Sequence, residues 1–158
     1  MILVATGTHP QQFNRLITEV DSLAERKIIK EKVIMQIGYS TYVPSHAEWF
    51  KFIDYWKMLK LIKNASTVIT HGGIGSVLLS VRLNKRTIVV PRMKKFKEHT
   101  NDHQLEIAKE LAGQRKIIPV YDISKLADAL QEIKSFKSAK SDRTHKILDI
   151  VNKFLEQL

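Results

Sequence analysis

Short apolar runs at Ile2–Ala5, Val33–Ile37, Val68–Thr70, Thr87–Val90 and Lys116–Pro119 punctuate the chain, and they restrict its fold more than any other feature. They are rich in β-branched residues and lack the alternation of a sheet with one wet face, so each suits a strand buried on both faces. Between them, Phe13, Leu16, Ile17, Val20, Leu23 and Ala24, and later Leu105, Ile107, Ala108, Leu111 and Ala112, recur at helical spacing. Strand and helix therefore alternate, which predicts an α/β chain: an open parallel sheet with helices on both faces, joined by right-handed crossovers. Ligands of such sheets bind beyond the carboxyl ends of the strands. The segments to inspect are thus Thr6–His9, Gly38–Thr41, His71–Ser76 and Pro91–His99.

Two stretches depart from the alternation. Residues Tyr42 to Trp56 carry Trp49, Phe50, Phe52, Tyr55 and Trp56, with a short extra strand expected near Phe50–Phe52 and a helix running on to Asn64. Aromatic side chains are usually interior, so a core or helix-packing role is expected for them, with a partner surface as the alternative. Residues Ser135–Ser141 read as a polar linker, after which Ile147, Ile150, Val151, Phe154 and Leu155 form one apolar stripe on a final helix. The expected organisation is a binding domain over 1–135, then a linker and helix over 136–158 that pack on the domain or a partner.

At 158 residues this is one domain's worth of chain. It has no cysteine, hence no disulfide framework, thiolate metal site or cysteine nucleophile, and a reducing cytoplasm suits it. The apolar start Met1–Ala5 has no basic flank and is interrupted by Gly7 and His9, so it reads as a first strand rather than a signal peptide or membrane span. A net charge of +10 favours anionic partners, whether nucleic acid, lipid headgroups or a phosphorylated small molecule. Lys and Arg are dispersed and no nucleic-acid-binding motif appears, so nucleic acid is not expected as a partner.

The sharpest local signal is Thr70-His71-Gly72-Gly73-Ile74-Gly75-Ser76, where a buried strand passes through three glycines into a helix. Glycines allow a tight turn and close approach of a ligand, and the helix that follows offers unpaired amides and the positive end of its dipole, a seat for a diphosphate. His71 can donate to a phosphate or sugar and Ser76 can add a hydroxyl. The glycines can equally serve close packing of strand on helix, with His71 capping the turn. The spacing is neither that of dinucleotide folds nor that of a P-loop, which argues against NAD and ATP. A second cluster, Glu98 to Gln104, follows the basic loop Pro91–Lys97. There Asn101, Asp102, His103 and Gln104 offer sugar hydroxyls donors and acceptors, unless Thr100 or Asn101 is spent as a helix cap. His99 and His103 lack the H-E-x-x-H order, so no metal is expected. After the first strand, Gly7 permits close approach, Thr6 and Thr8 offer hydroxyls, and His9 is either a general base on an acceptor hydroxyl or an exposed loop residue.

Taken in order, Val4–Thr8, Met35–Gly38, Ile69–Ser76, Val89–Pro91 and Asn101–Gln104 resemble the carboxy-terminal, donor-binding domain of family 28 GT-B glycosyltransferases, over about residues 1–135. The resemblance implies a Rossmann-like sheet forming the C-terminal half of a GT-B fold. It is nearest the stand-alone catalytic subunits of split transferases, known in dolichol-linked and in bacterial exopolysaccharide and capsule assembly. It implies that His71, Gly72, Gly73, Ile74, Gly75 and Ser76 meet the donor diphosphate, that Gln36 and Gly38 lie near the nucleotide, and that Asn101, Asp102, His103 and Gln104 face the sugar. Thr6, Gly7 and Thr8 would line the cleft, and His9 and His71 are the candidate catalytic side chains. The implied reaction moves a hexose, galactose first and GlcNAc next, from a UDP-sugar to a lipid-diphosphate-linked saccharide, with inversion and no cofactor. The missing acceptor-binding half would be a membrane-anchored partner subunit that holds this chain at the inner face of the membrane. A UDP-sugar sensor and a UDP-sugar epimerase are the rival implications. One position departs from the pattern: related complete enzymes often carry a carboxylate for the ribose on the helix after the glycine turn, where this chain has Leu79. Backbone groups, Asn101 or Asp102 would then have to serve, or the correspondence is shifted by a turn.

Overall fold

A computed structural model describes residues 1–139. Its sheet comprises β1 (Ile2–Ala5), β2 (Val33–Gln36), β3 (Glu48–Phe50), β4 (Thr67–Thr70), β5 (Arg86–Val89) and β6 (Ile118–Pro119), in the spatial order β3-β2-β1-β4-β5-β6. All pairings are parallel. The helices are α1 (Asn14–Glu25), α2 (Tyr55–Asn64), α3 (Ile74–Arg82), α4 (His103–Gly113) and α5 (Leu126–Ser135). The alternating runs thus fold as expected, into an open Rossmann-like α/β sheet covered on both faces.

The period of two along each strand divides the core. Ile2, Val4, Met35, Ile69 and Ile88 face α1 and α5, meeting Leu16, Ile17, Val20, Leu126 and Leu130. Leu3 and Val68 face α2 and α3 through Ile62 and Leu79, while Val89 meets α3 and α4 through Val77, Ala108 and Leu111. Because every strand runs the same way, residues following Ala5, Gln36, Thr70 and Val89 emerge along a single edge. Register pairs Ala5 with both Gln36 and Thr70, and Thr70 with Val89, so these exits are level. Strand order reverses between β1 and β4, which places a topological switch point under the loops starting at Thr6 and His71.

Several expectations need correction. The aromatics of the 42–56 stretch do not fill the core: Trp49, Phe52, Tyr55 and Trp56 are exposed, Trp56 to 74%. The extra strand lies two residues earlier than expected, at Glu48–Phe50 on the sheet's edge, where Glu48 and Trp49 are exposed and Phe50 is half-buried. Phe50 and Tyr42 are the exceptions within the stretch, and Tyr42 is also bonded inward. It is half-buried, and its hydroxyl donates to Asp21 (2.7 Å), which also accepts from the backbone of Ser45 (3.0 Å) and His46 (2.8 Å). Helix α1 begins at Asn14 rather than near Gln11: Gln12 Oε1 accepts from Asn14 N (2.7 Å), and the Asn14 side chain is tied to Thr41 and Tyr42 across the fold. The linker expected from Ser135 is not free of the domain: Ser135 ends α5, Phe136 packs on the larger core, and Ala139 N donates to Arg115 O (3.0 Å). The apolar stripe from Ile147 to Leu155 lies outside the described residues.

Candidate functional site

The glycine turn is braced from below. His71, 8% exposed, directs its ring under the first loop, and a Cβ on Gly7 would stand 2.5 Å from its Cε1 and Nε2. Nδ1 of His71 lies 3.3 Å from Ala5 O. A carbonyl can only accept, so the neutral ring carries its proton on Nδ1 and leaves Nε2 as an acceptor. Burial, then the nearby Arg92, lowers the pKa of His71 to about 4. The ring is therefore uncharged at neutral pH. This corrects its expected part as a donor to phosphate: His71 is the wedge between the Gly7 loop and the Gly72–Gly73 turn. Gly73 packs against the same ring, and Gly72 would clash through a Cβ with Gln104 at 2.6 Å.

Gln104, 7% exposed at the start of α4, accepts through Oε1 from Gly72 N (3.1 Å) and from Arg92 N (3.1 Å). That oxygen is committed to the turn, which leaves its Nε2 for a ligand. Gln36 plays the corresponding part across the switch point, accepting from Gly7 N (3.2 Å), while Thr6 Oγ1 donates to Gln36 O (2.9 Å). The hydroxyl of Thr6 is thus spent inside the protein, contrary to expectation, whereas Thr8 is exposed. Gly7 and Gly38 hold left-handed conformations, with φ of +77° and +54°, and face each other across this loop pair.

Above these braces, α3 starts with Gly73 as N-cap, no side chain caps it, and its first turn holds no acid. The amides of its first turn lack intrahelical partners and carry the positive end of the helix dipole. Gly75 in that turn faces open space, for a Cβ there would meet nothing within 4 Å. The three glycines thus differ in surroundings: Gly72 and Gly73 are closely packed, and Gly75 faces open space. Ser76 is half-buried beside it. A cavity of about 480 Å³ opens next to Gly75 and Ser76, between α2 and α3.

The 98–104 cluster is largely self-tied. Asn101 Oδ1 accepts from His103 N (3.2 Å), and Asp102 Oδ1 accepts from Lys94 N (2.9 Å). Asp102 is the N-cap of α4 by position but makes no capping bond, and Thr100 makes none either. His103 is half-buried and points toward Glu106 (3.6 Å). His99 turns the other way, stacking on His9 with ring centroids 4.3 Å apart. Nδ1 of His9 accepts from Gln11 N and Nδ1 of His99 from Asn101 N, both at 3.3 Å. In each neutral ring the proton then sits on Nε2, so His9 offers a donor. As a base on an acceptor hydroxyl it would have to change tautomer and give up that bond. Burial lowers the pKa of both rings, helped by His99 and Arg92 at His9 and by Arg92 and His103 at His99.

The residue that sequence reasoning missed is Arg92, grouped there with the basic loop. It is fully buried, and its guanidinium donates to Thr6 O (2.8 Å), Gln11 O (2.9 Å), Gln12 O (3.1 Å) and Glu98 O (3.0 Å), over the face of Phe13. Burial lowers its pKa to about 10, so it stays charged. Glu98, also buried, takes a two-pronged contact from Arg15 (2.9 Å on each oxygen) and accepts from Met93 N (3.1 Å). Together they fasten the loops after β1 and β5 into one body. In sequence, Arg92 differs from Lys94, Lys95 and Lys97 by being an arginine and by following Pro91 directly after a buried strand.

A sheet of this order with a braced glycine turn at its switch point is the architecture of the C-terminal domains of GT-B glycosyltransferases. The chain belongs to the family described as glycosyltransferase family 28 C-terminal domain, whose family model matches residues 1–158. It is similar to the human UDP-N-acetylglucosamine transferase subunit ALG13, with 34% identity over 70% of this chain and 10% of that protein. It is also similar to the Yarrowia lipolytica subunit of the same name, with 36% identity over 48% of this chain and 35% of that one. The chain thus spans only a tenth and about a third of these curated relatives. Among solved structures, the solution structure of ALG13 superposes with a TM-score of 0.63 at 17% identity, covering 94% of this chain and 92% of that one. The glycotransferase of kitacinnamycin superposes with a TM-score of 0.63 at 17% identity, covering 85% and 34%. These likenesses show the fold.

Proposed function

We propose that the chain is the donor-binding, catalytic half of a two-component glycosyltransferase that moves a hexose from a UDP-sugar to a lipid-diphosphate-linked saccharide. The observation that carries this reading is the uncapped start of α3 with open space over Gly75, held in place from beneath by His71 and Gln104. A diphosphate set there accepts from the first-turn amides, and the charge that develops on UDP as the glycosidic bond breaks meets the helix dipole. The sugar would extend toward Asn101, Asp102 and Gln104 Nε2. His9 and His99, each with an Nε2 proton, supply donors nearby, so the base that deprotonates the acceptor in an inverting displacement falls to the partner.

The curated relatives, named as UDP-N-acetylglucosamine transferase subunits, weigh toward GlcNAc, where the sequence resemblance put galactose first. Among the described residues no helix is long and apolar enough to cross a membrane. Attachment to the inner face of a membrane would run through a membrane-anchored acceptor-binding subunit, as the sequence resemblance suggests, with the net charge of +10 favouring an anionic surface. Exopolysaccharide or capsule assembly is the setting that the sequence resemblance suggests.

The test is UDP release from UDP-GlcNAc and UDP-galactose, with and without partner-containing membranes and a lipid-linked acceptor. Release that requires both partner and acceptor is the expected result. UDP binding with no turnover under any of these conditions would favour a sugar-nucleotide sensor, and absence of any UDP-dependent thermal stabilisation would remove the donor site.

A further inference from the structure

We infer that the nucleoside pocket of this site does not read the 2′-hydroxyl, so that the chain accepts 2′-deoxynucleoside diphosphates, dTDP-sugars included, as readily as uridine ones. The inference rests on the donor-site reading above and sharpens its substrate class. The cavity between α2 and α3 begins at Gly75 and Ser76, so a nucleoside attached to a diphosphate over the first turn of α3 enters it directly. Its walls are chiefly apolar, with Tyr55, Met58, Leu78 and Leu79 prominent, and no Asp or Glu lines it.

A ribose diol is read by acceptors, because each hydroxyl has a proton to give. The polar residues at the cavity are poorly suited to this. Arg82 has donors only. Oε1 of Gln36 already accepts from Gly7 N (3.2 Å), which holds it against the first loop, and the residue is buried. The hydroxyl of Ser80 is fully buried and bonded to Ser76 O (2.9 Å). Ser76 Oγ and the Tyr55 hydroxyl remain as side-chain acceptors; the first is half-buried and the second exposed, so water rather than an empty lone pair replaces a missing 2′-hydroxyl at either. A site built to bond a hydroxyl rejects the analogue lacking it by about 10⁴–10⁵, since its own buried partner is left unpaired. A wall of Leu79 and Met58 leaves nothing unpaired when the hydroxyl is missing, and in a cavity of about 480 Å³ the 5-methyl of thymine is a small addition.

The experiment is titration calorimetry of the full chain with UDP, dUDP and dTDP. The expected result is a Kd for dUDP within about fivefold of that for UDP, which is ~1 kcal/mol. A larger preference for UDP overturns the inference and leaves the donor site standing, because UDP still binds. If none of the three binds, the donor-site reading falls and takes this inference with it. Leu79→Glu places a carboxylate on the wall and should create a preference for UDP over dUDP of about tenfold or more, the effect of one added charge-assisted bond. Equal binding of both by a folded Leu79→Glu protein would show that the sugar ring lies elsewhere and overturn the inference. Leu79 packs on the Leu3–Val68 cluster, so Leu79→Gln is measured in parallel, and the ratio for the unsubstituted chain decides the matter if neither variant folds.

Discussion

Replacing Gly75 by alanine separates the cost of a functional glycine from that of a structural one. Gly75 is the second residue of α3, its φ is not in the left-handed region, and a Cβ there meets nothing within 4 Å. Alanine can therefore take the same backbone, and a helical glycine is worse than alanine by about 0.5–1 kcal/mol. The position is in the first turn, so the lower end applies, about 0.5 kcal/mol, or a rise in Tm of about 1–2 °C for a domain of this size. Ligand binding should move the opposite way. A methyl over the first-turn amides lifts a phosphate oxygen off them, and each charge-assisted bond lost is worth about 1.5–3 kcal/mol, roughly tenfold or more in Kd. Differential scanning fluorimetry and titration with UDP read the two effects on the same sample. A Gly75→Ala protein that melts higher yet binds UDP as tightly as the parent would refute the placement of the diphosphate. One that melts lower would refute the open space above α3.

His71 should make stability pH-dependent in a defined window. Its folded pKa, about 4, lies below the unfolded value of 6.5, so the folded state binds fewer protons between those values. Its contribution is complete above pH 6.5 and is lost as the pH falls toward 4, by about 3 kcal/mol at most, and His9 and His99 shift in the same direction. Urea midpoints measured from pH 7.5 to 4.5 should fall for the parent and flatten for a folded His71→Gln protein. Gln104→Leu removes the acceptor shared by Gly72 N and Arg92 N and should cost about 2–3 kcal/mol with loss of UDP binding, whereas Gln104→Glu keeps an acceptor and should retain stability better, as chemical denaturation would show. Arg92→Lys retains the charge but cannot reach four carbonyls at once. A loss of about 3 kcal/mol is expected, with proteolysis appearing first in the loops after β1 and β5.

What the chain determines locally was legible in its residues. β-branched runs without alternation dictated buried parallel strands, and parallel strands dictated that Thr6, Gly38, His71 and Asn101–Gln104 would gather near one edge. Glycines between a buried strand and a helix marked the candidate anion seat, because backbone freedom and helix polarity are properties of adjacent residues. The tertiary structure decided which atoms remain for a ligand. Gln104 and Gly72 are 32 residues apart, and Arg92 and Thr6 are 86 apart, so no local pattern records that the amide oxygen braces the turn or that one arginine among many cations is buried. His71 and His9 were named as candidates from their type, but their tautomers follow from a carbonyl in one case and a backbone amide in the other. The aromatics near Trp56 were misassigned to the core for the same reason: hydrophobicity is a property of the residue, while burial depends on whether another layer covers it, and over β3 and the start of α2 the described fold supplies none.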